Sequence, residues 1–110
     1  MVYLEEAHPV DGWLYESVTH LIRQHTTEHE RRNAASILGG ELQKLDAPQD
    51  GTLPLVVDTM TNAASLAFGA LPERLVILRN GRVRFIGGKG PEEYSIAEAQ
   101  QALREVLPNL

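Results

Sequence analysis

Short apolar runs rich in β-branched residues predict four strands in the 110-residue chain. They lie at residues 2–5, 55–58, 75–78 and 82–86. The last two flank Asn80 and Gly81, and an Asn-Gly pair readily adopts the positive φ angles of a tight turn, so these strands should form a β-hairpin. A helix is predicted between the first two strands, and strands joined through a helix usually run parallel.

Apolar residues spaced by three and four predict amphipathic helices at residues 28–45 and 96–107. Each helix is preceded by a capping box, in which a hydroxyl residue is followed three positions later by a glutamate: Thr27 with Glu30, and Ser95 with Glu98. A short third helix should begin after Asn62, which would cap it, and end at Gly69.

The order of these elements is strand, helix, strand, short helix, hairpin and helix. This order is typical of an α/β protein whose mixed sheet is covered by helices. We therefore predict a single domain of the α/β class over residues 1–110. Asp58 ends the second strand, and we expect its carboxylate to cap or turn the chain rather than to catalyse.

Composition narrows the class of protein. The chain is 43% hydrophobic and 23% charged, as in ordinary globular proteins, and a net charge of −5 argues against nucleic acid as a partner. It has no cysteine, which excludes a disulfide, a thiolate metal site and a thiol nucleophile among these residues. No apolar run approaches the ~20 residues that span a bilayer and the first residues form no signal peptide, so a cytoplasmic location is expected.

One segment carries a specific resemblance. Val2-Tyr3-Leu4-Glu5-Glu6-Ala7-His8-Pro9, followed by Asp11-Gly12-Trp13, resembles the signature block of the iodothyronine deiodinases, and later segments such as Val56-Val57-Asp58-Thr59-Met60 and Gly87-Gly88-Lys89-Gly90-Pro91 follow in family order. The resemblance implies a thioredoxin-like mixed sheet with flanking helices, and a cis peptide bond at Leu71-Pro72. It also implies that a first core strand and the segment with the nucleophile, a selenocysteine or in some relatives a cysteine, are absent from these residues.

The family's reaction is the reductive removal of iodine from thyroid-hormone-like iodinated phenols, with an external thiol as reductant and no bound cofactor. Since the nucleophile is missing, we predict that these 110 residues alone are inactive. Selenocysteine is encoded by a codon that usually means stop, so a reading frame restarted at Met1 would explain the missing segment. The alternative function is a thioredoxin-like binding or interaction domain without redox chemistry.

A missing central strand has a further consequence for partners. It would leave the strands at residues 2–5 and 75–78 with unpaired edges, which favours a homodimer formed by strand association. Members of the family often carry an N-terminal membrane anchor, and no such segment occurs in these residues. Glu92 and Glu93 stand where the family often has an aromatic residue, which puts thyroid hormone itself in doubt as the substrate.

Glu6 and His8 are the candidate catalytic residues. They lie two apart at the end of a strand, so their side chains are expected on one side of it, at the edge where open α/β sheets bind ligands. A carboxylate orients a neighbouring imidazole and makes it a proton donor near neutral pH. The resemblance assigns the pair a proton-relay role, because the carbon that loses iodine must gain a proton. The alternative is a solvated polar strand end.

The resemblance also assigns three substrate-binding residues, each with an alternative. Tyr3 should line the site, whereas on its own it would be a core or half-buried strand tyrosine. His25 should contact the substrate or the proton network, or else lie on the surface of a polar loop. Arg74 should hold the substrate carboxylate through its planar guanidinium, or else pair with Glu73.

No metal site is expected. His25 and His29 have the i, i+4 spacing of zinc-binding helices, but they straddle a predicted helix start and no third ligand converges on them. Trp13 is either an exposed recognition ring or a plug that anchors its loop to the core.

Overall fold

The computed structural model describes residues 1–16, 19–45 and 53–107. Its elements in chain order are β1 (Val2–Tyr3), α1 (Glu28–Gln43), β2 (Val56–Val57), α2 (Ala63–Phe68), β3 (Val76–Arg79), β4 (Arg82–Ile86) and α3 (Ile96–Val106). The chain is therefore mixed α/β, as predicted, and it divides into a first unit, Met1–Ala67, and a second unit, Phe68–Leu110. No helix in the described ranges is both long and apolar enough to cross a bilayer.

In the first unit, β1 and β2 run parallel, as predicted, with Val2 opposite Val56 and Tyr3 opposite Val57. The ladder extends before the start of β1 and past the end of β2: the Val56 N–H donates to the Met1 carbonyl at 3.0 Å, and the Asp58 N–H donates to the Tyr3 carbonyl at 2.9 Å. This pairing brings the residues that follow β1 and those that follow β2 to the same end of the sheet.

Helix α1 begins at the predicted capping box. The Thr27 hydroxyl accepts a hydrogen bond from the Glu30 N–H at 3.1 Å, which satisfies one of the free N–H groups of the first turn. The Glu30 carboxylate reaches one residue further back than a capping box requires and accepts from the Thr26 N–H at 2.7 Å. These two hydrogen bonds fix the residue at which α1 begins, and they thereby determine which of its residues lie on the buried face.

The buried face of α1 is made of small residues and one charged residue. Among the described residues, Ala34 and Ala35 are the hydrophobic side chains that are buried, and Arg31 lies one turn earlier on the same face. A Cβ at Gly39 would lie 3.7 Å from Leu55 Cδ2, so α1 packs closely beside β2. The helix passes through both Gly39 and Gly40, which the sequence predicts to weaken it.

Helix α2 is capped by Asp58 and not by the Asn62 side chain, so the expected cap residue was wrong. The Asp58 carboxylate accepts from the N–H groups of Thr59, Ala64 and Ser65, at 2.8, 2.9 and 2.9 Å. Asn62 has a φ of +57°, and its side-chain oxygen instead accepts from Arg31. The expectation that Asp58 would cap or turn the chain is confirmed.

The second unit contains the predicted hairpin. β3 and β4 pair antiparallel around Asn80 and Gly81, whose φ angles of +53° and +73° are those of a type I′ turn. Helix α3 begins at the second predicted cap, where the Ser95 hydroxyl accepts from the Glu98 N–H at 3.2 Å, and it packs on β3 and β4. Leu71-Pro72 is cis, as predicted, and Gly90-Pro91 is cis as well.

Candidate functional site

Four side chains of the first unit form one hydrogen-bonded cluster, which we call the Glu6 network: Tyr3, Glu6, His25 and Arg31. One carboxylate oxygen, Glu6 Oε1, accepts from the Tyr3 hydroxyl and from His25 Nε2, the latter at 3.1 Å. On the other side of the imidazole, Arg31 Nε donates to His25 Nδ1 at 3.1 Å. The His25 side chain is 2% exposed and that of Glu6 is 20% exposed, so the network opens to solvent at the carboxylate.

The loop that carries Glu6 is held by Gln24. The Gln24 amide forms two hydrogen bonds to the Glu6 backbone, accepting from its N–H and donating to its carbonyl, both at 2.9 Å. The Gln24 N–H in turn donates to the Asp11 carboxylate at 2.8 Å, and this hydrogen bond holds the pKa of Asp11 below its ordinary value. These contacts tie together the two strand-free segments that supply Glu6 and His25.

Arg31 is the most deeply buried charged residue of the described chain, at 2% exposure. Its Nη1 donates to the Thr59 carbonyl at 2.7 Å, to the Asn62 side-chain oxygen at 3.0 Å and, more weakly, to the Asp58 carbonyl at 3.4 Å. All three acceptors lie in the connection between β2 and α2. Arg31 therefore links the Glu6 network to the end of the parallel strand pair.

Tyr3 contributes a hydroxyl that stays protonated. Burial raises the pKa of Tyr3, and its hydrogen bond to the negatively charged Glu6 raises it further, while the nearby Arg31 lowers it by a smaller amount. The Tyr3 ring also lies beside His25, with centroids 5.7 Å apart. Tyr3 is half-buried on β1, and its phenol acts as a hydrogen-bond donor to the carboxylate.

His8 has different surroundings from His25. Its Nδ1 donates to the Trp13 carbonyl at 3.1 Å, and its ring lies 4.7 Å from the Trp13 ring and 5.6 Å from the Tyr15 ring. Trp13 is 74% exposed, so of the two interpretations of this residue the plug is wrong and the exposed ring is what the structure has. His8 therefore belongs to a partly exposed aromatic cluster.

Arg74, in the second unit, is bound by backbone carbonyls. Its Nε donates to Gly87 at 2.7 Å, and its Nη1 donates to Phe68 at 2.8 Å and to Gly69 at 3.3 Å. The ion pair with Glu73 that the sequence left open is replaced by these contacts. A side chain at Gly69, whose φ is +55°, would come within 3.2 Å of Arg74 Nη1, so the loop and the guanidinium fit each other closely.

The structure brings together three of the five predicted site residues, Tyr3, Glu6 and His25. Glu6 contacts His25, which lies nineteen positions later in the chain, and not His8, which lies two positions later. The alternative that His25 lies on the surface is wrong, since it is buried. Sequence reasoning gave Arg31 no role, although an arginine one turn before two alanines on the apolar face of a helix is a signal for a buried, paired charge.

Two other features of the described residues do not coincide with this network. A groove of about 500 Å³ lies between α1 and β2, with Arg32, Ala35 and Val57 in its wall, and none of the four network residues lines it. Within the parts of the chain that the structure describes, no three histidine, aspartate or glutamate side chains converge as metal ligands would. Among the described residues of the first unit, the Glu6 network is thus a largely buried cluster in which several titratable side chains share hydrogen bonds.

Fold and network together define a small mixed α/β protein with a partly buried, proton-carrying polar site. Comparison with known sequences identifies the family: the sequence model of iodothyronine deiodinase matches residues 1–107, and the chain belongs to that family. It is similar to the thyroxine 5-deiodinase of Gallus gallus, at 43% identity over 110 residues, which is all of this chain and 40% of that protein.

Two mammalian relatives give a similar result. The thyroxine 5-deiodinase of Bos taurus is 40% identical over 100 residues, 91% of this chain and 31% of that protein. The thyroxine 5-deiodinase of Homo sapiens is 39% identical over 98 residues, 89% of this chain and 30% of that protein. The chain thus spans between three and four tenths of the length of the curated relatives it matches.

Proposed function

We propose that this chain provides the proton-handling part of a deiodinase that reductively removes iodine from thyroxine-like iodinated phenols. The observation that carries the proposal is the double hydrogen bond to Glu6 Oε1, from the Tyr3 hydroxyl and from His25 Nε2. Both partners donate to the same oxygen of Glu6, whose carboxyl group has a solvent-facing side. The family and the names of the relatives support the reaction class.

The reaction needs one proton, at the ring carbon that loses iodine. When a carbon–iodine bond is broken reductively, the nucleophile takes iodine without its bonding electron pair, and the ring carbon keeps that pair and binds a proton. The sum is aryl iodide plus selenolate or thiolate plus one proton, giving arene plus selenenyl or sulfenyl iodide. Two external thiols then reduce that product, which regenerates the selenolate or thiolate and releases iodide, a disulfide and two protons. The 110 residues have no cysteine, so their part in this sum is the proton and the binding of the ring.

We assign the proton donor to His8. Its Nδ1–H is given to the Trp13 carbonyl, which leaves Nε2 to take up and release a proton. The ring is partly exposed and lies beside the aromatic rings of Trp13 and Tyr15, so a phenol that stacks on these rings would come close to it. In the proposed relay Glu6 would exchange protons with His8 through solvent, since the direct partners of its carboxylate are Tyr3 and His25.

Arg74 is proposed to bind the substrate carboxylate. Its Nε and Nη1 are used by backbone carbonyls, which fixes the plane of the guanidinium and leaves Nη2 for a ligand.

For the fold that holds these residues we propose a thioredoxin-like sheet. The parallel pair β1–β2, the intervening helix α1 and the hairpin β3–β4 followed by α3 agree with that topology in order and in direction.

The test is iodide release from thyroxine with dithiothreitol as reductant. The chain alone should release none. A chimera, in which the segment that precedes the matched region in the Gallus gallus relative is joined before Met1 with a cysteine at its nucleophile position, should turn over. In the chimera, His8→Ala should lower kcat by roughly a hundredfold or more, since general acid catalysis contributes about 10²–10⁴-fold.

His20→Ala is the matched control. His20 is half-exposed and pairs with Glu41 at the surface, so its loss should leave turnover within about twofold. Iodide release by the chain alone would overturn the assignment of the nucleophile to another segment. A chimera that binds thyroxine, followed by Trp13 fluorescence, yet never releases iodide would favour the binding-domain alternative.

A further inference from the structure

The contact between Arg31 and His25 determines where the histidine carries its proton. A guanidinium has donors only and keeps its charge at every pH a protein experiences. Because Arg31 Nε–H points at His25 Nδ1 from 3.1 Å, that ring nitrogen must be the acceptor and carries no hydrogen. The hydrogen of the neutral imidazole is then on Nε2, which is the atom 3.1 Å from Glu6 Oε1.

We infer that Arg31 is a positioning residue, which fixes His25 as the neutral Nε2–H tautomer and so directs the Nε2–H donor at Glu6 Oε1. The tautomer follows from the hydrogen bonds alone, whereas its value to the reaction rests on the proposed function. Arg31 suits this role because its other contacts are rigid: Nη1 is bound by the Thr59 carbonyl and the Asn62 side chain.

The two histidines, His25 and His8, then have different roles. A proton on His25 Nδ1 would face the Arg31 N–H, so His25 exchanges no proton through that nitrogen while the contact lasts. The groups that face His25 are Tyr3 from β1, Glu6 from the following loop, and Arg31 with the weaker influence of Glu30 from α1. His25 therefore orients the carboxylate, and proton exchange is left to His8, whose Nδ1 faces a carbonyl and not a guanidinium.

The measurement is long-range ¹H–¹⁵N NMR of the chain labelled with ¹⁵N-histidine, in which protonated and bare ring nitrogens have separate shifts. The His25 signals, assigned by their loss in His25→Gln, should show a bare Nδ1 and a protonated Nε2 at neutral pH. Arg31→Met removes the donor and should convert them to a mixture of both tautomers. Arg31→Lys keeps a donor and should retain the wild-type pattern.

Arg32→Met is the matched control. Arg32 is the next residue on the same helix, 67% exposed and paired with Glu28, so this variant should leave the His25 signals unchanged. A proton on Nδ1 in the wild-type chain would overturn the inference, and so would an unaltered pattern in folded Arg31→Met. If Arg31→Met does not fold, the wild-type spectrum and Arg31→Lys still decide.

The NMR result is independent of the reaction, so the tautomer stands even where the proposed function fails. In an active chimera, Arg31→Met should lower kcat by roughly ten- to a hundredfold with KM nearly unchanged, because the relay is misplaced while the ring-binding residues are kept. Arg31→Lys should restore most of kcat. A loss of kcat that Arg31→Lys does not restore would contradict the positioning role while leaving the proposed function intact.

Discussion

The two units of the chain use an arginine in different ways. In the first unit, Arg31 is buried and donates both to backbone carbonyls and to His25, a side chain that can itself carry a proton. In the second unit, Arg74 is half-buried and its three hydrogen bonds all go to carbonyls. The same donor group thus fixes a protonation state in one unit and the shape of a loop in the other.

The two units also differ in how deeply their side chains are buried. Every buried residue of the described chain lies in the first unit, and four of these residues are polar or charged: His25, Arg31, Asp58 and Ser65. Between residues 68 and 107 the described side chains are half-buried or exposed. A buried charge is costly unless it is fully hydrogen-bonded, so the first unit is where a lost contact should cost most.

The largest expected effect is that of Arg31→Met. The change leaves His25 Nδ1, the Thr59 carbonyl and the Asn62 side chain without their donor. We expect a loss of about 3–5 kcal/mol in the free energy of unfolding, measured by urea titration at neutral pH. Arg32→Met, one position away and exposed, should cost no more than about 0.5 kcal/mol. Equal losses in the two variants would remove the distinction between buried and exposed charge.

The next effect concerns Asp58, and it depends on pH. Burial alone would raise the pKa of Asp58, but the N–H groups of Ser65, Ala64 and Thr59, with Arg31, together hold it below its ordinary value of 3.8. A carboxyl whose pKa is lower in the folded state stabilises that state above the unfolded pKa, and this contribution is lost as pH falls through the folded pKa.

Asp58→Asn should therefore lower the free energy of unfolding by about 1–2 kcal/mol at pH 7, where the wild-type carboxylate is charged and caps α2. The difference between the two proteins should shrink as pH is taken below about 4, since the wild-type carboxyl then gains a proton. Urea titrations at pH 7 and pH 3 measure it. A gap that is the same at both pH values would mean that the cap acts through shape and not through charge.

Sequence reasoning succeeded where the signal is local. The capping residues Thr27 and Ser95, and the turn at Asn80 and Gly81, depend on neighbours within four positions, and all appear as predicted. It failed where partners are distant in sequence. Glu6 and His8 are neighbours in the chain, yet the partner of Glu6 is His25, which only the fold of the intervening loop, clamped by Gln24, brings into reach.

The cap of α2 shows the same limit. Asn62 immediately precedes the helix and is a favoured capping residue, but Arg31, thirty-one positions earlier, takes its side chain. Asp58 then supplies the cap from four residues further back. The catalytic roles of Glu6 and His8, and the association of the chain through strand edges, stay predictions.

Arg74→Met should have a smaller effect than Arg31→Met. It removes hydrogen bonds to the carbonyls of Gly87 and Phe68, groups that lie near enough to the surface for water to replace part of the loss. We expect a loss of about 1–2 kcal/mol in the free energy of unfolding, measured by the same urea titration. Thyroxine binding to the chimera, followed by Trp13 fluorescence, separates the structural role from the proposed binding role. Arg74→Lys should keep much of the stability and weaken binding, because a single ammonium group cannot donate to the backbone carbonyls and also present a fixed second nitrogen to the substrate carboxylate, as Nη2 of Arg74 does in the proposal. Unweakened binding would assign Arg74 to loop shape alone.

The smallest effects should come from two glycine-to-alanine substitutions, one in each unit. Gly40 lies on the exposed side of α1 with no atom within 4 Å of the position of a Cβ, so Gly40→Ala should raise the free energy of unfolding by about 0.5–1 kcal/mol. Gly81 has equal space, but its φ of +73° is strained for alanine, so Gly81→Ala should lower it by about 1 kcal/mol. Since neither site meets a clash, the opposite signs report backbone conformation alone. Urea titration of both variants decides, and a stabilised Gly81→Ala would show that the turn at Asn80 and Gly81 relaxes away from the left-handed geometry on which the hairpin register depends.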